Sequence, residues 1–208
     1  MNEKQPCLLV VEDIPDILNL LYATLTFKGY RVVTAHNGQE ALEAIALERP
    51  GLIITDILMP KMDGFSLVHR LRINPETRDI PVVFLSATYV EPEDKAFALN
   101  IGVTRFIEKP VNLDELLPTI AELMARSAPT QRAPINELDF YTGYRERLET
   151  KINHKNTQIS RDEHVLENLS DAKRPAFEAS MRAAMVEREE LQTLLDEVRA
   201  HLEKIQKG

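Results

Sequence analysis

Five polar residues could take part in one reaction if the fold gathers them in one place. Each lies at or just beyond the end of a short apolar run, and they are Glu12, Asp13, Asp56, Ser86 and Lys109. Neighbouring carboxylates repel one another and raise each other's pKa values, so a hard divalent cation would stabilise them, and an all-oxygen set suits Mg²⁺. A hydroxyl and an ammonium beside them suit the oxygens of a phosphoryl group, which an aspartate can accept as an acyl phosphate. The five residue types therefore favour phosphoryl transfer at a magnesium site.

The apolar runs that precede these residues predict buried strands. Five runs of strand length are rich in apolar residues, as strands buried on both faces are, and they span 7–11, 30–35, 52–55, 81–85 and 103–107. Segments with a helical spacing of apolar residues separate them. This alternation predicts an α/β fold with a doubly wound, five-stranded parallel sheet, in which ligands bind beyond the carboxyl ends of the strands. The five polar residues would then meet at one edge of the sheet.

The composition indicates which classes of protein are not expected. The chain has 208 residues, 44% of them hydrophobic, and a formal net charge of -8, which argues against broad binding to nucleic-acid phosphates. No apolar run approaches the ~20 residues that a membrane span needs, and the polar start lacks the order of a signal peptide. Cys7 is the single cysteine and lies in an apolar run, so we expect a buried thiol and a reducing, cytoplasmic location.

Residues 6–126 resemble the receiver domain of two-component response regulators, of the chemotaxis-receiver kind. The resemblance rests on Glu12-Asp13, the D-x-x-M-P-x-M-D-G motif from Asp56 to Gly64, the pair Ser86-Ala87 and the pair Lys109-Pro110. It implies a flavodoxin-like fold, phosphorelay signalling and a sensor histidine kinase as partner. It also implies that the chain is not an enzyme beyond Mg²⁺-dependent self-phosphorylation and autodephosphorylation.

The resemblance implies a magnesium site around the phosphoacceptor, which falls on Asp56. Asp13 and Asp56 would ligate Mg²⁺ directly, Glu12 would act through water, and Leu58 would contribute its backbone carbonyl. In the family, two positions tune the lifetime of the phosphoryl group, and they fall on Leu58 and Thr88. Because the side chain of Leu58 cannot orient an attacking water, we expect slow autodephosphorylation.

The resemblance also implies a switch. Ser86 and Lys109 would bond phosphoryl oxygens, with Lys109 aimed inward by a cis bond to Pro110. When the loop carrying Ser86 is drawn toward the phosphoryl group, the ring of Phe106 would turn inward and the face of the fourth helix, fifth strand and fifth helix would repack. The family often has tyrosine where this chain has Phe106, so no phenolic hydrogen bond can report the active state here.

The C-terminal part of the chain predicts helices and no strands. The segment 127–134 is typical of a linker, which would divide a receiver domain over 1–126 from a helical segment over 135–208. One helix is predicted over about 136–168, and a second from an N-cap at Ser170-Asp171 to about Gln206. Together they would form an antiparallel hairpin or coiled coil.

Both predicted helices have an apolar register. In the second helix it alternates steps of four and three, is broken once by Arg188, and consists of Phe177, Met181, Ala184, Leu191, Leu195, Val198, Leu202 and Ile205. In the first helix it is looser and consists of Leu138, Tyr141, Leu148, Ile152, Ile159, Leu166 and Leu169. Neither helix can bury its full stripe on one partner. The hairpin is therefore expected to dimerise with a second copy or to dock on a downstream protein.

Two alternatives for the C-terminal helices stay open. His154 could serve in a phosphorelay intermediate, but Lys155 alone does not complete the pattern expected after such a histidine, and a solvated helix histidine is the simpler interpretation. A DNA-binding transcriptional regulator is the other alternative. The basic residues alternate with glutamates as on a solvated helix face, as in 187–190, and no helix-turn-helix pattern is found. His164 and His201 have no neighbours that suggest a metal site.

Overall fold

The chain divides into two units, which are described separately. A computed structural model describes residues 6–87, 91–125, 135–167 and 174–207. Residue contacts group the chain into an N-terminal unit, Met1–Ile135, and a C-terminal unit, Asn136–Gly208. The predicted linker over 127–134, the predicted cap at Ser170-Asp171, and Leu169 lie outside the described residues, so the proposed domain boundaries stay a prediction.

The N-terminal unit contains a five-stranded parallel sheet with helices between the strands. The strands are β1 (Leu8–Val11), β2 (Val32–Ala35), β3 (Leu52–Asp56), β4 (Val82–Ser86) and β5 (Arg105–Glu108), in the order β2-β1-β3-β4-β5. The helices are α1 (Pro15–Phe27), α2 (Gly38–Leu47), α3 (Gly64–Ile73), α4 (Pro92–Asn100) and α5 (Leu113–Ala125). The predicted fold class, including the doubly wound parallel sheet, is confirmed.

Three strands, β3, β4 and β5, end one residue later in the chain than the apolar runs predict, whereas β1 and β2 end where predicted. Asp56 is the last residue of β3 and pairs with Leu85, while Ser86 is the last residue of β4 and pairs with Glu108. The apolar runs end one residue earlier, at the last apolar or small residue before the first polar side chain at the strand end. Backbone pairing does not depend on side-chain polarity, so the ladder extends through both residues.

The core of the sheet is apolar on both faces. On one face lie Leu8, Val10, Leu52, Ile54 and Val83, and residues that alternate with them, Leu9, Ile53 and Phe84, lie on the other face; all are buried. These residues come from β1, β3 and β4, the three interior strands, which the near-continuous apolar runs predicted. The sheet therefore forms a rigid support for the loops that follow its carboxyl ends.

The C-terminal unit consists of two long helices, α6 (Glu137–Glu167) and α7 (Arg174–Lys207). Cross-helix pairs join Glu137 to His201, Glu149 to Arg199 and Lys155 to Glu187. From the first of these pairs to the last, the residue number on α6 rises while that on α7 falls, so the two helices are antiparallel. The predicted hairpin is therefore confirmed within the described residues.

The apolar register of α7 matches its prediction. On α6 the predicted Leu148, Ile152 and Ile159 are buried as expected, and the register differs only at the start of the helix. On α7, Leu191, Leu195, Val198 and Leu202 are all buried. On α6 the fully buried aromatic residues are Phe140 and Tyr144, while the predicted Leu138 is 44% exposed and Tyr141 is partly exposed. The helix is mostly polar, so two stripes of similar apolar content were possible at its start. The stripe that buries two whole aromatic side chains removes more apolar surface from water.

Of the helices that the structure describes, none combines the length and the apolar character that crossing a bilayer requires.

Candidate functional site

Three carboxylates meet at the carboxyl ends of β1 and β3. Glu12 and Asp13 directly follow β1, Asp56 ends β3, and these two strands are neighbours in the sheet. One carboxylate oxygen from each residue lies within 4.8 Å of the others. Glu12 is fully buried, while Asp13 and Asp56 are partly exposed. The geometry thus brings together the three acidic residues that the sequence analysis selected.

Lys109 joins this cluster from the end of β5. Its Nζ donates to Asp56 Oδ2 at 2.7 Å and to Glu12 Oε2 at 2.8 Å. The peptide bond between Lys109 and Pro110 is cis. The sequence predicted a role for Lys109 at the phosphoryl group but not its contact with Glu12. No local pattern indicates this contact, because β3 and β4 lie between β1 and β5 in the sheet and the long lysine side chain reaches across them.

The electrostatics of the cluster follow from burial. Burial raises the pKa of the Glu12 carboxyl, and repulsion from Asp56 adds to this, against the hydrogen bond from Lys109. Burial likewise raises the pKa of Asp13, again with repulsion from Asp56. For Lys109, burial alone would lower the pKa, but Asp56 and Glu12 together outweigh it and the pKa is raised. Lys109 is therefore protonated, and its single positive charge cannot balance the three carboxylates around it.

The donor set fits a hard divalent cation. Glu12 Oε1 is buried and accepts no hydrogen bond within the part of the chain that the structure describes. An unsatisfied buried carboxylate oxygen is costly, and a cation or its bound water would satisfy it. The set contains only oxygens, and one ammonium cannot neutralise three carboxylates. The residues present thus fit Mg²⁺ by number, type and excess charge.

Backbone contacts fix the orientation of Asp56. The N–H of Ile57 donates to Asp56 Oδ1 at 2.7 Å, and the N–H of Gly64 donates to the Ile57 carbonyl at 2.7 Å. A Cβ on Gly64 would lie 2.5 Å from the Asp56 carbonyl oxygen, so the loop can approach the strand this closely only with glycine. Asp63 begins α3 as its N-cap, accepting from the Ser66 N–H at 2.9 Å. The motif after Asp56 therefore positions the carboxylate.

Ser86 and Phe106 lie on the adjacent strands. Ser86 is buried, and its carbonyl accepts from the Lys109 N–H at 2.9 Å. Phe106 is partly buried on β5, opposite Phe84 on β4, with ring centroids 6.4 Å apart and an edge-on arrangement. Leu58 lies partly buried two residues after Asp56, whereas Thr88 is outside the described residues. The predicted roles of these side chains stay predictions.

Comparison with known proteins gives a consistent family. Residues 8–121 match the family described as the response regulator receiver domain. The structure of chemotaxis response regulator CheY4 of Vibrio cholerae is similar, with 33% identity, a TM-score of 0.54, and coverage of 58% of this chain and 99% of that one.

Two curated relatives extend beyond the region that they share with this chain. Response regulator MprA of Mycobacterium bovis is 36% identical over 126 residues, covering 61% of this chain and 54% of that protein. The protein called "Probable transcriptional regulator ycf27" of Cyanidium caldarium is 34% identical over 165 residues, covering 77% of this chain and 64% of that protein. The chain spans about half the length of most curated relatives it matches, such as 51% of the protein with the same name from Pyropia yezoensis.

Proposed function

The chain belongs to the family of response regulator receiver domains, and we propose that it is a signalling switch controlled by phosphorylation of Asp56. A receiver domain implies a histidine kinase as partner, and in this proposal that kinase donates the phosphoryl group. One observation carries the proposal. Asp56 ends β3 at 2.7 Å from the Lys109 ammonium, with the Glu12 and Asp13 carboxylates within 4.8 Å.

The proposed step is a transfer from a phosphohistidine to an aspartate. A carboxylate oxygen of Asp56 attacks phosphorus, an O–P bond forms, and the N–P bond to the kinase imidazole breaks. The released imidazole takes up a proton from solvent. Lys109 would exchange its bond to Asp56 Oδ2 for one to a phosphoryl oxygen, and the Ser86 hydroxyl would donate to another. The switch would follow from the changed position of Ser86.

Mg²⁺ is the proposed cofactor. Glu12, Asp13 and Asp56 would hold it, together with the backbone carbonyl of Leu58. When bound, it would neutralise the charge that collects on the phosphoryl oxygens during the transfer. The unsatisfied Glu12 Oε1 supports this assignment, because a bound ion or its water would complete its coordination.

Label transfer tests the proposed acceptor. The full chain is incubated with labelled phosphoramidate and Mg²⁺, and acyl phosphate is recognised by its release with hydroxylamine. Wild type and His154→Ala should each take up one hydroxylamine-sensitive label per chain, and Asp56→Asn should take up none. Label on Asp56→Asn would overturn the proposal. Loss of label in His154→Ala would instead support the phosphorelay alternative for the C-terminal unit.

The lifetime of the phosphoryl group is proposed to be long because of Leu58. Its apolar side chain offers no hydrogen bond to an attacking water near the acyl phosphate. Leu58→Asn should therefore speed loss of label by about tenfold, since one hydrogen bond to the attacking water contributes on the order of 1 kcal/mol. An unchanged decay rate in Leu58→Asn would contradict this explanation.

The output is proposed to be dimerisation through the C-terminal helices. The buried apolar residues of α7, Leu191, Leu195, Val198 and Leu202, are called the apolar seam and pack inside the hairpin. On the same helix, Met185 and Val186 remain 41% and 57% exposed. Two large apolar side chains side by side at the surface favour a protein partner, and a second copy supplies the same surface. Homodimers with a two-fold axis are the commonest assemblies of this kind.

Mass by light scattering tests this output on the full chain. Wild type at tens of micromolar should have the mass of a dimer, and the double variant Met185→Glu with Val186→Glu should have that of a monomer. Thr193→Glu, an exposed change on the same helix, is the matched control and should stay dimeric. The proposal would be overturned if wild type has the mass of a monomer both in the absence and in the presence of a beryllofluoride mimic.

A second candidate output is DNA binding, and one observation favours it. The relative called "Probable transcriptional regulator ycf27" of Cyanidium caldarium matches 77% of this chain, which is more than the N-terminal unit alone contains. Against it stands the net charge of -8. Fluorescence anisotropy with duplex DNA at low salt decides between the two. Salt-sensitive binding by the phosphorylated chain would support the transcriptional alternative.

A further inference from the structure

We propose that Lys95 is a positioning residue for the switch, and that it holds the ring of Phe106 at the protein surface until Asp56 is phosphorylated. This inference rests on the proposed function and concerns residues outside the phosphoryl site. It assigns a role to the salt bridge between α4 and β5, which the reaction itself does not use.

Lys95 contacts two residues of β5 at once. Its Nζ lies 5.8 Å from the centroid of the Phe106 ring and 2.5 Å from Glu108 Oε1. Phe106 and Glu108 are two residues apart on one strand, so both side chains lie on the same face of the sheet. The ammonium therefore lies against the ring face while the carboxylate anchors it there. The arrangement combines a cation–π contact with an ion pair.

Phe106 is the outermost ring in a series of aromatic contacts. Its neighbour Phe84 is fully buried, and Phe84 in turn meets Phe65 with ring centroids 5.3 Å apart. Phe106 itself is only partly buried. If the ring turns further inward, it must leave the ammonium of Lys95. Lys95 thus stabilises the ring in its surface position relative to the inward one.

The same strand carries a matched ion pair that lacks the aromatic contact. Arg105 immediately precedes Phe106, and its Nη2 donates to Glu122 on α5 at 3.2 Å. Successive side chains of a strand point to opposite faces, so Arg105 lies on the face away from Lys95. Its removal changes the net charge by the same amount as removal of the Lys95 charge. Arg105 is therefore the control residue for long-range electrostatics.

The expected effect is small but acts directly on the switch. Lys95 and Glu108 are 39% and 56% exposed, so their pair is screened by water, and an exposed cation–π contact adds a comparable amount. Together they should shift the equilibrium between the two ring positions by about threefold. A ligand that favours the inward ring then binds more tightly by the same factor once Lys95 is neutralised.

The test is binding of a beryllofluoride mimic to the full chain with Mg²⁺, followed by NMR of the phenylalanine rings. The Phe106 signals are assigned with Phe106→Leu. Lys95→Met should bind the mimic about threefold more tightly than wild type. Its Phe106 signals should also move toward their mimic-bound position before any mimic is added. Lys95→Arg, which keeps the charge and the ring contact, should restore wild-type values.

The direction of the change separates this inference from a simple charge effect. Loss of a positive charge weakens attraction for an anionic mimic, so Arg105→Met should bind equally or slightly more weakly than wild type. Equal or weaker binding by Lys95→Met, with unmoved Phe106 signals, would overturn the role of Lys95 while the proposed function stands. Equal responses of wild type and Asp56→Asn to the mimic would overturn the proposed function and this inference together.

Discussion

Two sets of charged side chains, one in each unit, are arranged in opposite ways. In the N-terminal unit, Lys109 joins Glu12 and Asp56, which are 97 and 53 positions away in the sequence, and these side chains are at most 15% exposed. In the C-terminal unit, the pairs of Glu149 with Arg199 and of Glu137 with His201 lie along the hairpin, and their side chains are 37% to 55% exposed. The same residue types therefore meet different environments.

This difference shows what each architecture can do with charge. The carboxyl ends of parallel strands gather carboxylates at one edge, where burial and repulsion raise the pKa values of Glu12 and Asp13. The exposed ion pairs of the helical hairpin lie along its length in water, where each pair contributes little. The first arrangement is suited to binding a cation and a phosphoryl group. In the hairpin, stability therefore comes mainly from the apolar seam and not from the ion pairs.

The largest expected effect is on that seam. Leu195→Ala should lower the free energy of unfolding of the C-terminal unit by about 3 kcal/mol, because Leu195 is 3% exposed and its loss leaves a cavity. Urea unfolding followed by circular dichroism measures this. Leu138→Ala, at a residue 44% exposed, is the control and should cost far less. Equal losses for the two variants would mean that the seam is not the main source of stability.

A somewhat smaller effect is expected where the loop meets the acceptor strand. Gly64→Ala should destabilise the N-terminal unit by about 2 kcal/mol, since the new Cβ would lie 2.5 Å from the Asp56 carbonyl oxygen. Labelling of Asp56 should slow as well, because the loop that orients its carboxylate must move. Both are measured on the same preparation, by urea unfolding and by label uptake. An unchanged midpoint and rate would show that the close approach is not required.

The charge cluster should show an effect of opposite sign. Burial raises the pKa of Asp13 in the folded chain, so its ionisation costs stability as pH rises through and above the usual range of aspartate. Asp13→Asn should therefore raise the free energy of unfolding at pH 7 without Mg²⁺ by on the order of 1 kcal/mol. It should also weaken the stabilisation that Mg²⁺ gives.

Urea unfolding with and without Mg²⁺ checks this prediction, with Asp16→Asn on the exposed side of α1 as the control. A destabilised Asp13→Asn in the absence of Mg²⁺ would mean that Asp13 stabilises the fold, contrary to the argument from repulsion.

The smallest expected effect is on the hairpin ion pairs. Arg199→Ala should change the free energy of unfolding by less than about 0.5 kcal/mol, because Arg199 is 50% exposed and Glu149 is 40% exposed. A double-mutant cycle with Glu149→Ala at two salt concentrations isolates the pair. A coupling as large as the loss in Leu195→Ala would contradict the contrast between the two units.

Much of the sheet and the site could be predicted because its signals are local. An apolar run followed by a polar residue marks a buried strand and its end. This signal placed five residues at one edge of the sheet: Glu12, Asp13, Asp56, Ser86 and Lys109. The contact of Lys109 with Glu12 could not be predicted in the same way. It depends on the order of the strands in the sheet and on how far the lysine side chain reaches across them, and residues 97 positions apart carry no local pattern for either.

The hairpin shows a different limit of sequence analysis. The regular spacing on α7 allowed one stripe, and its register was right. On α6 the choice between Leu138 and the pair Phe140 and Tyr144 was decided by packing against α7, which the spacing within one helix does not contain. Likewise, the position of Lys95 over Phe106 joins a helix to a strand and has no signal in either segment alone.

Lys109 makes two kinds of hydrogen bond, one through its side chain and one through its backbone, and together they connect Asp56 to Ser86. Its side chain holds Asp56, and its backbone N–H donates to the Ser86 carbonyl. The ends of β3 and β4 are thus both bonded to Lys109, so a movement at one strand end affects the other. In the proposed switch, a partner that binds one position of Ser86 more tightly would change the affinity for the phosphoryl mimic. The mimic would change the affinity for that partner by the same factor. A partner protein bound to this chain would therefore also change how tightly the chain holds the phosphoryl mimic.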